Sequence, residues 1–61
     1  MENLEFNFYD CNGKNFEERV ELPGYDAADA HGRQLSKEWG ECLVKWAEQG
    51  STDWSYSHAD D

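Results

Sequence analysis

Basic residues are scarce in this chain. Lys14, Arg19, Arg33, Lys37 and Lys45 stand against fourteen Asp and Glu, a formal net charge of −9 over 61 residues. A surface of that sign repels phosphate, which excludes an ordinary nucleic-acid binder or a protein that docks on anionic membranes. Long apolar runs are missing as well. No stretch approaches the roughly 20 residues a membrane-spanning helix needs, and the N-terminus lacks the basic and apolar regions of a signal peptide. The chain is therefore expected to be a complete cytoplasmic protein.

Cysteine and histidine are equally sparse. Cys11 and Cys42 are too few for a disulfide scaffold, so two free thiols are expected, one exposed in a turn and one buried. No CxxC, HxxxH or EF-hand spacing occurs, and no metal or cofactor is expected. His31 and Cys42 would lie about 16 Å apart by rise on one helix, beyond the reach of a nucleophile and its base. His58 falls in the tail. These absences argue against an enzyme.

What the chain does have is nine aromatic residues, enough to build the small core of one domain near the lower size limit. Leu4, Phe6 and Phe8 alternate with Glu5, Asn7 and Tyr9, the period of a half-buried strand over 3–9. Phe16, Val20 and Leu22 share one phase of a second strand, 15–22, with Glu17, Arg19 and Glu21 in the other. A two-residue Asn12-Gly13 turn would put the two apolar sets on opposite faces. A three-residue turn, Cys11-Asn12-Gly13, restores them: Asp10 pairs with Lys14, Phe8 with Phe16, Phe6 with Glu18 and Leu4 with Val20. Glu18 then sits on the core face, either at a sheet edge or against a helix base such as Arg33 or Lys37.

Pro23-Gly24 ends the strand. Asp26 reads as an N-cap, and Ala28, His31, Leu35, Trp39, Cys42 and Trp46 recur at spacings of three and four, which predicts one helix over 27–49 ending at Gly50. Asp29–Arg33 and Glu41–Lys45 are i,i+4 ion pairs on it. Gly32 would allow close approach to the sheet. Gly40, Leu43, Val44 and Ala47 would form a second apolar strip suited to a weak dimer contact. Trp54 and Tyr56 alternate with Asp53, Ser55 and Ser57 in a last strand, 52–57, followed by a frayed acidic tail, 58–61. The expected class is α+β: a single ββαβ domain with a three-stranded antiparallel sheet, order 2-1-3, and one helix packed on one face.

Charge is unevenly spread. Residues 26–49 carry five acids and three bases, a net of −2, whereas the rest carry nine acids and two bases, a net of −7. Glu5, Glu17, Glu21 and Asp53 are expected on the open sheet face, with Asp10 and Glu18 beside them. A wet sheet face is routinely charged, but routine solvation does not require so lopsided an excess. Carboxylates on such a face lie about 4.8–6.7 Å apart. At the wider spacing each like-charge pair costs only ~0.6 kcal/mol in water. A cationic groove built for phosphates would release its counterions to such a row as it does to DNA.

Two stretches, EFNFYDCNGKNFEERVEL and YDAADAHGRQLSKEWGECLVKWAEQG, make up most of the chain. In layout, size and charge the protein resembles the small acidic phage-encoded anti-CRISPR proteins of type I systems, most of all the type I-C inhibitors. The resemblance implies the cytoplasm of a bacterial host and a partner in a crRNA-guided surveillance complex whose binding of target DNA is blocked. It transfers no residue roles. The expected partner is thus a basic nucleic-acid-binding protein, with Glu5, Asp10, Glu17, Glu18, Glu21 and Asp53 as the contact residues, no direct nucleic acid or membrane contact, and a monomer or weak homodimer. The competing expectation is an interaction module or antitoxin that docks through apolar groups, the charge serving solubility.

Overall fold

The computed structural model describes residues 2–11 and 16–60. Alternation of large apolar and polar residues produces β1 (Leu4–Asp10) and β2 (Glu17–Leu22), which pair antiparallel. Phe6 and Phe8 are fully buried on one face. The pairing is two residues away from the expected register: Leu4 meets Leu22, Phe6 meets Val20 and Phe8 meets Glu18. Asp10 is opposite Phe16, not Lys14, through a backbone bond of 3.3 Å. A shift of two keeps every side chain on its face, brings Leu22 over Leu4, and moves half-exposed Phe16 out to stack on Trp39. The expected Cys11-Asn12-Gly13 turn lies, from Asn12 on, outside the described residues.

The helix is shorter than expected. α1 spans Tyr25–Glu38, with Gly24 in the N-cap position and Asp26 inside the first turn, where its charge faces the helix dipole. Gly40 stops it. Gly40 N–H donates to the Lys37 carbonyl at 3.3 Å and Glu41 N–H to the Ser36 carbonyl at 2.6 Å, the paired bonds of a Schellman ending. Gly40 (φ 88°) and Glu41 (φ 61°) both take the left-handed conformation. The segment expected to continue the helix instead forms a strand, β3 (Val44–Glu48), and β4 (Ser55–Ser57) follows.

Among the described residues the class is α+β, one helix on an antiparallel sheet, with one strand more than expected: the order is β2-β1-β3-β4. β3 occupies the place beside β1 that had been expected for the last strand, and β4 lies outside it. The same revision removes the Glu41–Lys45 helical pair and the Gly40–Ala47 apolar strip, since Val44 and Ala47 are buried strand residues. Asp29–Arg33 forms as expected, at 2.9 Å.

The core joins Phe6, Phe8, Ala28, Leu35, Cys42, Val44 and Trp46, with Leu4, Val20, Leu22 and Trp39 packed against it. α1 lies mainly over β3 and β4. Gly32 makes this approach feasible, because a Cβ there would sit 3.0 Å from the Ser57 Cβ and 3.2 Å from the Trp46 ring. Ser57, expected on the outer face, is buried under the helix: Trp46 Nε1 donates to its Oγ at 2.9 Å, and that hydroxyl donates to Asp29. Ser36, also fully buried, donates to the Cys42 carbonyl and accepts the Ala59 N–H at 3.0 Å. Ser57 and Ala59 are therefore tied to α1, within and beyond the last strand, where a frayed tail was expected from residue 58. Both cysteines are free thiols, Cys11 exposed and Cys42 buried.

Candidate acidic interface

The face of the sheet opposite α1 is assembled from the outward phase of each strand. β2 contributes Glu17, Arg19 and Glu21; β1 contributes Glu5, Asn7 and Tyr9; β3 contributes Lys45 and Ala47; β4 contributes Tyr56. Glu5 and Glu21 are directly opposite each other. Arg19 reaches Glu5 at 3.7 Å and donates to Asn7 Oδ1 at 3.2 Å, and Asn7 donates to Gln49 at 2.6 Å. Among the described residues Arg19 is the one cation set among the three carboxylates of this half of the face, and it pairs with Glu5. The other half is aromatic. Trp54 meets the edge of Tyr9 at 5.6 Å and lies 5.1 Å beneath the Lys45 ammonium. Trp54 and Tyr56, expected to turn inward, are 40% and 57% exposed.

Of the six acids expected at the interface, Glu5, Glu17 and Glu21 share the open face. The other three do not join them. Asp10 is buried at the core-side end of β1. Glu18 points to the helix side, where its carboxylate meets His31 at 2.6 Å instead of Arg33 or Lys37. Asp53 lies in the connection before β4, its N–H bonded to Ser51 Oγ at 3.1 Å, and its charge is felt by Tyr25 at the start of α1.

That last placement points to Asp26 and Glu48, two acids the sequence pattern left out of the site. β1 begins, β2 ends, α1 begins and β3 ends at one pole of the molecule. Glu5 and Glu21 are there with exposed Glu2 and Asp26, Glu48 and Asp53. Lys37 and Lys45 lie toward the other end, but so do Asp10, Glu17, Glu38 and Glu41, so this pole is the more acidic end of a surface that carries acids at both. Glu48 was hidden because residues 44–48 read as helix. The alternation Cys42, Val44, Trp46 directly after Gly40 was the available signal.

At this pole Tyr25 Oη donates to Glu48 at 2.8 Å. The phenol is held above its ordinary value of about 10, chiefly by that hydrogen bond, then by desolvation and the charges of Glu48 and Asp53. A raised value means the neutral phenol is favoured in the folded state. Its contribution to stability is full below the ordinary value and is lost as pH rises through the raised one. In Glu48→Gln the Tyr25 ring should titrate closer to its ordinary value, as read by NMR; an unmoved midpoint would refute the carboxylate's role.

Among the described residues, no group of three or more His, Cys, Asp or Glu is arranged to hold a metal ion, and no helix is long and apolar enough to cross a membrane. The architecture defines a small α+β protein with an acidic surface. No family model, curated protein or solved structure matches this chain.

Proposed function

We propose that the protein is an inhibitor that imitates nucleic acid: its acidic pole and open sheet face occupy a basic DNA-binding groove on a partner protein. The reading rests on one observation, the gathering of Glu5, Glu17 and Glu21 on one open sheet face with Arg19 among them. The long dimension of the molecule, 33 Å, is close to one turn of B-DNA, about 34 Å, so the acids lie within the span of such a groove. Charge-assisted contacts to Arg and Lys of the partner would replace those the groove makes to phosphates. A surveillance complex that binds target DNA, as the resemblance to anti-CRISPR proteins implies, is a partner of this kind.

The test is capture of the partner from a bacterial lysate on the immobilised protein, with elution by a salt gradient. The partner should elute steeply with salt and be displaced by duplex DNA, and Glu17→Lys with Glu21→Lys should abolish capture while the fold persists. A complex insensitive to salt and to DNA would sink the proposal. A second reading, a docking module or antitoxin that uses apolar contacts, is favoured by the exposure of Tyr56 and Trp54. In that case Tyr56→Ser, and not the charge reversals, would release the partner.

A further inference from the structure

The pairing of β1 with β2 determines which backbone groups the sheet leaves open. Asp10 N–H donates to the Phe16 carbonyl, so Asp10–Phe16 is a hydrogen-bonded pair. Bonded pairs recur every second residue in an antiparallel ladder. Phe8–Glu18, Phe6–Val20 and Leu4–Leu22 are therefore bonded, whereas Glu17, Arg19 and Glu21 sit in the intervening pairs. Bonds from Gln49 N–H to Glu5 and from Cys11 N–H to Leu43 put the other phase of β1 against β3, which completes the alternation. The N–H and C=O groups of Glu17, Arg19 and Glu21 consequently point away from the sheet. Among the described residues no hydrogen bond reaches them, and α1 lies over the opposite side of the sheet.

We propose that this edge docks an extended basic segment of the partner as a fifth strand. The inference rests on the reading of a cationic partner and specifies how part of it binds. Strand addition draws affinity from main-chain bonds and specificity from alternate side chains. Here the three open residues also present their side chains on the acidic face, so a bound strand would set its own alternate residues beside Glu17, Arg19 and Glu21. Lys or Arg opposite each Glu, with an acid or neutral residue opposite Arg19, matches them. A depression of about 400 Å³ lined by Asn7, Tyr9, Glu17, Glu18 and Arg19 offers space and a carboxylate for one such basic side chain. A second copy of this chain matches poorly. The antiparallel register that bonds all three open residues of each copy sets Glu17 against Glu21 twice and Arg19 against Arg19.

The experiment reads amide hydrogen exchange on the full chain with the peptide Lys-Val-Glu-Val-Lys, whose palindromic charge pattern suits either strand direction. At millimolar concentration it should slow exchange at Glu17, Arg19 and Glu21 by at least about tenfold, and Glu-Val-Lys-Val-Glu should not. Arg19→Pro removes an outward N–H that the fold does not use, a position where an edge strand tolerates proline. It should abolish the protection, and Arg19→Ala should keep it. If Arg19→Pro fails to fold, the peptide N-methylated at the amides that face β2 serves the same purpose and should not protect. No protection by the unmodified peptide overturns the proposal, as does protection that rises with protein concentration alone, which would assign the edge to a second copy. Because Arg19→Pro and Arg19→Ala lose the same cation and keep every acid, a proline variant that holds the captured partner to the same salt concentration as the alanine variant overturns strand docking alone. Salt-insensitive capture by the wild type would instead overturn the acidic-surface reading.

Discussion

Trp46→Ala should leave the protein largely unfolded at room temperature. The indole is 4% exposed and contacts Phe6 at 5.7 Å, Phe8 at 6.1 Å and Tyr25 at 6.0 Å between ring centroids. Truncating a buried Trp costs about 3–5 kcal/mol. At roughly 0.05–0.15 kcal/mol per residue, a chain of this length has only about 3–9 kcal/mol in all. The loss extends beyond the cavity. Trp46 Nε1 donates to Ser57, Ser57 donates to Asp29, and Asp29 holds Arg33. This chain fastens β3 and β4 to α1, so its first member cannot be removed without loosening the closing strand. Trp46→Phe retains most of the volume and deletes the N–H; it should cost about 1–2 kcal/mol and stay folded. Urea unfolding followed by circular dichroism separates the two. A Trp46→Ala protein with a near-normal midpoint would mean that β3 is not the centre of the core.

The special weight of Trp46 also explains what was and was not legible in the sequence. Leu35, Trp39, Cys42 and Trp46 are spaced four, three and four apart, which satisfies a helix; Cys42, Val44 and Trp46 are spaced by two, which satisfies a strand. Periodicity alone cannot choose between them. Gly40 chooses, because a left-handed residue there lets the chain leave the helix, and the β-rich run that follows then buries its alternate side chains. The faces of β1 and β2 were legible because the apolar phase decides them, but their register was not: a slip of two residues keeps both phases intact. Glu18 and Ser57 show the same limit. Each is polar and inward-facing for the sake of a partner distant in sequence, His31 for one and Asp29 and Trp46 for the other. The acidic face survived the register shift because Glu5, Glu17 and Glu21 depend on phase alone, whereas Asp53 depended on the wrong phase of β4 and left it.

Replacing Glu17 and Glu21 by Gln should move stability and binding in opposite directions. Glu21 faces Glu5 directly across the strands. Like charges so placed are destabilising, by about 0.8 kcal/mol at ~5 Å in water, and Arg19 is shared between Glu5 and Asn7. Gln keeps the size and hydrogen-bonding capacity of the side chain and removes the repulsion, so the double variant should be more stable than wild type by about 0.5 kcal/mol. Gln still donates and accepts, but it no longer forms a charge-assisted pair with an Arg or Lys of the partner. Close charge pairs across an interface couple by about 1.5 kcal/mol or more each. Losing two predicts roughly a hundredfold weaker binding, at 1.4 kcal/mol per tenfold, together with a shallower dependence of affinity on salt. Urea midpoints and salt titrations of the captured complex measure both sides. If the carboxylates served solubility alone, the variant would gain the stability and lose none of the affinity. Opposite signs in the two measurements would mean that the fold tolerates a repulsive surface because the partner requires it.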